Sequence, residues 1–150
     1  MSATPVMACV ALGANLGDAM AMVQQACIEV GRLPETQLLQ ASSLYRTAPY
    51  EAEGPDFINA VALVQTQLSA MDLLHALQAL ELQAGRQRPF KNAPRTLDLD
   101  MIFYGDLVLS TPELTLPHPR WQKRAFVLLP LTEVWPARVT PAQLAAVQHQ

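Results

Sequence analysis

Between Leu97 and Tyr104 the chain has little choice of conformation. Apolar Leu97, Leu99 and Met101 alternate with Thr96, Asp98 and Asp100, so Arg95 to Tyr104 reads as a strand that stops at the Gly105-Asp106 turn signal. A period of two points both aspartates to the same face. Aspartate is depleted in strands, and two carboxylates one pleat apart repel each other, so the pair is costly without a cation near it. A divalent ion is one answer: hard Mg²⁺ takes one or two carboxylates and completes its shell with water and phosphate oxygens. The other answer is an edge strand with a wet acidic face. The spacing alone leaves both open.

The chain can build a core around such a strand. Its 150 residues, 51% hydrophobic and 15% charged, exclude general disorder and amount to one domain, 1–150. No apolar run is long enough to span a bilayer, and Val6 to Leu12 lacks the basic flank and cleavage site of a signal peptide, so a cytoplasmic location without a membrane partner is expected. Cys9 and Cys27 lack the spacing of a zinc site and are expected as reduced core residues.

The net charge of −3 is unevenly distributed. Seven of the ten basic residues (Arg86, Arg88, Lys91, Arg95, Arg120, Lys123, Arg124) lie between positions 86 and 124 against four acidic ones, a local charge of +3 in a chain that is otherwise −6. A nucleic-acid binder is usually basic overall, so the cluster is read as a site for a small polyanion. It shares its segment with the aspartate pair.

Taken in order, Val6 to Leu12 is an apolar strand, and Gly13 and Gly17 suggest a tight turn before a helix capped by Asp18, with Met20, Val23, Cys27 and Val30 on one face. That helix should stop at Gly31 and Pro34. A second strand is expected over Gln37 to Arg46 and a third over Phe57 to Gln65, with Phe57, Asn59 and Val61 on one face and Ile58, Ala60 and Ala62 on the other. The loop between them, Thr47 to Asp56, is longer than a hairpin needs, as functional loops often are. Asn59 reads either as a ligand contact or as an exposed residue near a strand end.

Ser69 and Asp72 start a second helix with Leu73, Leu77, Leu80 and Ala84 as its stripe, and Gly85 ends it. Glu81 lies late in this helix, where the dipole disfavours an acid, and His75 reads as a bystander. Residues 86–94 form a second basic loop. Short strands are expected at Leu107 to Leu109 and Leu114 to Leu116, a short helix at Trp121 to Leu129, and a last one after Thr140-Pro141. His118, held between Pro117 and Pro119, stands between the carboxylates and the Arg120, Lys123, Arg124 cluster. No Gly-rich phosphate-binding motif occurs, so arginines must hold the phosphates of any bound nucleotide.

Six blocks in this order resemble one family: Gly13-Ala14-Asn15-Leu16-Gly17-Asp18, Ser42 to Thr47, Pro55 to Ala60, Glu81 to Arg86, Pro94 to Asp100, and Leu116 to Pro119 with Arg124. The chain is similar over about residues 9 to 131 to the hydroxymethyl-dihydropterin pyrophosphokinases. The resemblance implies an α+β, ferredoxin-like β-α-β-β-α-β sandwich, with short strands and helices added at its C-terminal end. It also implies transfer of the pyrophosphoryl group of ATP to 6-hydroxymethyl-7,8-dihydropterin, with release of AMP, in folate synthesis.

Residue by residue, the resemblance makes Asp98 and Asp100 the carboxylates for two Mg²⁺ ions, and Arg86 and Arg95 the arginines that neutralise charge during transfer. Arg88, His118 and Arg124 match phosphate contacts, with Lys91 a further candidate for the ATP phosphates, while Gln78, Glu81, Met101 and Thr115 match the nucleotide side. For the pterin, Phe57 and Phe126 match stacking rings, Asn59 the amide that reads the hydrogen-bonding edge, and Thr47, Ala48 and Tyr50 backbone contacts. ATP and a dihydropterin are the expected partners, with no nucleic acid, and the chain is expected as a monomer. Ala14 stands where serine is frequent, and the 86–94 loop is short, with Phe90 but no tryptophan ahead of Pro94-Arg95. Two other readings remain: a regulatory small-molecule binder on the same fold, and a nonenzymatic subunit of a folate-pathway complex.

Overall fold

The sheet is built around β1, Val6–Ala14, which pairs antiparallel with β4, Phe57–Thr66, on one side and with β5, Asp98–Tyr104, on the other. The computed structural model describes residues 4–15, 17–48, 55–85, 97–148 and 150. In β1, Ala8, Cys9, Val10 and Leu12 are all buried, as a central strand covered on both faces requires. Strands β2, Thr36–Ala41, and β3, Tyr45–Thr47, both lie along the far side of β4, which gives the order β2-β4-β1-β5 with β3 beside β4. With two helices between the strands this is the expected β-α-β-β-α-β arrangement.

One strand was expected over 37–46, and the structure breaks it at Ser42. The Ser42 N–H donates to the Val61 carbonyl at 2.8 Å, while its Oγ accepts the Val61 N–H at 2.9 Å and donates to the Ser43 carbonyl. The side chain takes the place of a strand carbonyl, so the ladder is satisfied without a continuous strand.

Helices α1, Ala19–Gly31, and α2, Ala70–Ala84, cover one face of the sheet, packing Val23, Val30, Leu73 and Leu77 over Val10, Leu12, Ala60, Ala62 and Val64. Asp18 caps α1 through the Ala21 N–H and Ser69 caps α2 through the Asp72 N–H, both at 3.1 Å, as their positions suggested. The α1 stripe differs from expectation by one turn: Met20 is exposed, and Ala26 joins Val23, Cys27 and Val30 in the core. Gly31 ends the helix against β2, where a Cβ would come within 2.6 Å of the Leu38 Cβ.

The opposite face carries α3, Ala125–Val134, whose Val127, Leu128 and Leu131 pack on Cys9, Val61, Leu63, Ile102 and Phe103. The helix expected over 121–129 is two elements. Trp121–Lys123 is a 3-10 turn with Trp121 buried edge-on to Phe103, and Arg124 takes an extended backbone before α3 begins. A bulge in the β1–β5 ladder opposite Cys9 and Val10 explains why Phe103 joins Ile102 under α3 instead of continuing the alternation of Leu97, Leu99 and Met101. Arg138 lies over the Trp135 and Phe103 rings and bonds the Gly105 carbonyl and Asp106, which fastens the turn after β5.

A small hairpin, β6 at Leu109–Ser110 and β7 at Thr115–Leu116, follows β5. The first of its strands was expected over 107–109, but Leu107 and Val108 are exposed outside it. The last helix, α4, Pro141–Ala146, opens with the Thr140–Gln143 capping box. Both cysteines are free and buried, and burial pushes the Cys9 thiol up to about 12. Among the described residues no helix is long and apolar enough to cross a membrane.

Candidate active site

The β1 register lines up residues that are far apart in sequence. Gly13 is opposite Asn59 of β4 and Asp98 of β5, and one pleat further in, Ala11 is opposite Val61 and Asp100. Directly opposed residues share a face, here the face of α3. The result is a trough along β1, floored by Ala11 and Gly13, with an amide on one bank and two carboxylates on the other. Gly13 is therefore a strand residue and not the turn expected from its sequence; of these two glycines it is Gly17 that has the left-handed φ of a turn, at +60°.

On the β4 bank, Asn59 is 5% exposed and its Nδ2 donates to the Thr47 Oγ1 at 2.7 Å. Thr47 is opposite Phe57, which is half-buried on the same face as Asn59, and Ala48 follows it, exposed. Phe126, in the first turn of α3, packs at the edge of the cluster under that helix, with the Arg124 guanidinium 5.3 Å from its ring centroid. The segment leading to Thr47 is tied to α3 by Glu133, which accepts from the Ser43 N–H, the Ser43 hydroxyl and the Tyr45 hydroxyl at 2.8 to 3.1 Å. Desolvation raises the Glu133 pKa, but these hydrogen bonds outweigh it and hold the carboxyl below its ordinary value. Nothing in the sequence marked Glu133, because its partners lie about ninety residues away.

On the β5 bank, Asp98 and Asp100 are exposed while Leu97, Leu99 and Met101 are buried, as the alternation required. β5 is an edge strand, and α2 covers part of that edge: Glu81 Oε2 accepts the Leu99 N–H, between the two aspartates, at 2.8 Å. This accounts structurally for an acid late in a helix. Beside the aspartates lies a groove of about 240 Å³ between α2, β5 and the β6–β7 hairpin, lined by Leu74, Leu99, Asp100, Met101, Pro112, Glu113, Leu114, Thr115, His118 and Pro119. Sequence reading named Asp100, Met101, Thr115 and His118 among these but missed the apolar wall of Leu74, Pro112 and Leu114. Gln78 is exposed on α2, one turn beyond Leu74. His75 lies 4.0 Å from Glu113, and both are largely exposed.

His118 closes the groove, with its N–H bonded to the Ile102 carbonyl. Its Nδ1 accepts the Arg120 N–H at 3.2 Å, so the neutral ring carries its proton on Nε2. Partial burial lowers its pKa; Asp100 opposes this, and Arg124 and Arg120 reinforce it. A neutral imidazole with a fixed N–H is a donor for an anionic oxygen. Among the described residues no three acids, histidines or cysteines converge on a site that could hold a metal. Asp98 and Asp100 share one exposed face of β5, and two carboxylates are of the ligand type that Mg²⁺ takes alongside phosphate and water. Tyr50, Arg86, Arg88, Lys91 and Arg95, with the greater part of both loops, lie outside the described residues.

Comparison with known proteins bears on the family and the fold. Residues 9–136 match the model of the 7,8-dihydro-6-hydroxymethylpterin-pyrophosphokinase family. A Pseudomonas aeruginosa protein named 2-amino-4-hydroxy-6-hydroxymethyldihydropteridine pyrophosphokinase is 47% identical over 128 residues, 85% of this chain and 79% of the relative. A Synechocystis protein of the same name is 42% identical over 134 residues, 89% of this chain and 69% of the relative. The fold is shared with a solved HPPK-DHPS in complex with substrates, at a TM-score of 0.70 and 12% identity, over 97% of this chain and 43% of that longer one. With the family model covering most of its length, the chain belongs to the 7,8-dihydro-6-hydroxymethylpterin-pyrophosphokinases.

Proposed function

We propose that the chain, as a single cytoplasmic domain over 1–150 acting as a monomer, transfers the pyrophosphoryl group of ATP to the hydroxymethyl oxygen of 6-hydroxymethyl-7,8-dihydropterin and releases AMP. The observation that carries this reading is the trough, with an amide and a ring on the β4 bank facing a carboxylate pair on the β5 bank across Gly13 and Ala11. A flat heterocycle and a polyphosphate need such opposed banks to meet at one reacting atom.

On the β4 bank, Asn59 reads the polar edge of the pterin, Phe57 and Phe126 stack on its faces, and the backbones of Thr47, Ala48 and Tyr50 complete the edge. The groove takes the nucleotide against Met101 and Thr115, with Gln78 and Glu81 on the α2 side. Asp98 and Asp100 would hold two Mg²⁺ ions, which when bound screen the phosphate charge and polarise the oxygens around the transferring phosphorus. His118 donates its Nε2–H to a phosphate oxygen, and Arg124, half-buried at the start of α3, adds a fixed positive charge. Arg88 and Lys91 contact the phosphates, and Arg86 and Arg95 neutralise charge as AMP departs. The hydroxymethyl oxygen forms the new bond to the β-phosphorus as the bond to AMP breaks, and the hydroxyl proton leaves to solvent.

The test is AMP formation from ATP with Mg²⁺, with and without the pterin. Pterin-dependent AMP in one-to-one yield with pterin diphosphate supports the reading. Binding of the pterin without turnover would favour a nonenzymatic subunit instead.

A further inference from the structure

Arg124 is the N-cap of α3, and an arginine side chain brings no acceptor for the N–H groups that open a helix. Here the acceptor comes from Gln150. Its Oε1 accepts the Ala125 N–H and its Nε2 donates to the Lys123 carbonyl, both at 3.0 Å. A backbone N–H only donates and a carbonyl only accepts, so this amide has a single orientation. The two peptide groups it joins are those on either side of Arg124. That residue holds φ −119° and ψ 111°, extended between the Trp121–Lys123 turn and α3, where the sequence suggested unbroken helix. Its guanidinium lies over the Phe126 ring, and its charge reaches His118 at the end of the groove. We infer that Gln150 is a positioning residue for the nucleotide, clamping the backbone on both sides of Arg124 so that the guanidinium is held toward the phosphates.

The inference rests on the phosphate role proposed for Arg124 and adds to it a residue from beyond position 136, where the family match ends. The clamp arrives from an anchored backbone. Val147 is 3% exposed in the cluster under α3, and its carbonyl accepts the Gln150 N–H at 3.0 Å. With helical dihedrals at Arg124 its side chain would leave the chain in another direction, and a long side chain on an unfixed backbone has more freedom to lose when it takes up a phosphate. Phe126 depends on the clamp less, since packing within α3 already holds it. Loss of the Gln150 amide should therefore fall on the nucleotide and spare the pterin.

Gln150→Met keeps the length of the side chain and removes both hydrogen bonds. The test is equilibrium binding of a nonhydrolysable MgATP analogue and of the pterin to the full chain, each with the other saturating, together with amide exchange at Ala125. In Gln150→Met the Ala125 amide should exchange faster, and nucleotide affinity should fall about fivefold, the worth of about one net hydrogen bond. Pterin affinity should stay within about twofold of wild type. In an Arg124→Ala background the same substitution should change nucleotide affinity by less than about twofold, because the residue it acts through is gone. Unchanged Ala125 exchange, unchanged nucleotide affinity, equal losses for both ligands, or a loss that persists in full beside Arg124→Ala would each overturn the inference. If Gln150→Met does not fold, Gln150→Ala lacks the same amide and is held to the same outcomes. Wild type that binds no MgATP analogue would remove the phosphate role of Arg124 and this inference with it, whereas wild type that binds beside an unaffected Gln150 variant removes the inference alone.

Discussion

Val61 and Asn59 point the same way from β4, two residues apart, as Ile102 and Asp100 do from β5, yet the two ends of this one sheet face are built for different purposes. Val61 and Ile102 are 0% and 1% exposed in the cluster under α3, whereas Asp100 is in water and Asn59 carries a hydrogen-bonded amide. The backbone is the same antiparallel ladder throughout, so the change in chemistry follows from what covers the face. Where α3 packs, apolar side chains gain from leaving water. Beyond that packing the central strand turns small, Ala11 then Gly13, and the flanking strands turn polar. A sheet face with helix-packed residues at one end and an open floor at the other offers a rigid site at no cost to the core that supports it.

The difference predicts opposite responses to substitution. Asp98→Asn and Asp100→Asn should leave the unfolding midpoint close to wild type and reduce pterin-dependent AMP formation by about a hundredfold or more, since each removes a charged ligand from the proposed ion site. Ile102→Ala, two residues along the same face, should do the reverse. It should cost about 2–5 kcal/mol in denaturant unfolding while activity per folded molecule stays near wild type. If the aspartate variants were destabilised and active, or the Ile102 variant stable and inactive, the division of the face would be wrong.

Glu81 tests the boundary between the two. It satisfies the Leu99 N–H on the open edge of β5, so Glu81→Ala should leave that donor without its partner and cost about 1–3 kcal/mol of stability, whereas Glu81→Gln retains an acceptor and should recover most of the loss. Amide exchange at Leu99 would report it directly: faster in the alanine variant, near wild type in the glutamine variant.

The smallest effect concerns Glu133 and its pH dependence. Its folded pKa lies below the ordinary 4.5, so its tether is fully present above that value and is lost as pH falls through the folded pKa. At neutral pH Glu133→Gln should lose less than about 1 kcal/mol, because the site is exposed and screened. Between pH 5 and about pH 3 the stability of wild type should fall more steeply than that of the variant. Parallel curves across that window would show that the carboxylate contributes nothing through its charge.

The sequence carried much of this and left out definite parts for definite reasons. The alternation around Asp98 and Asp100, the caps at Asp18 and Ser69 and the two faces of β4 were legible because each is set by neighbours within a few residues. The break at Ser42 was not, since it depends on a side chain replacing a carbonyl against Val61, nineteen residues away. Arg124 interrupts what looked like one helix because Trp121 is drawn down onto Phe103, a tertiary contact. Gly13 was misjudged as a turn because glycine in a strand can be understood only once Asn59 is known to lie opposite. The apolar wall of the groove and the Glu133 tether have no local signature at all.

Whether the two banks of the trough divide the substrates between them is the central claim, and binding measured separately for each substrate tests it most directly. Affinities for a nonhydrolysable MgATP analogue and for the pterin should be measured in Asn59→Ala and Asp100→Asn, each ligand with the other saturating. Asn59→Ala should weaken pterin binding about tenfold or more and leave the nucleotide within about twofold, and Asp100→Asn should do the opposite. Equal losses for both ligands in both variants would contradict the account.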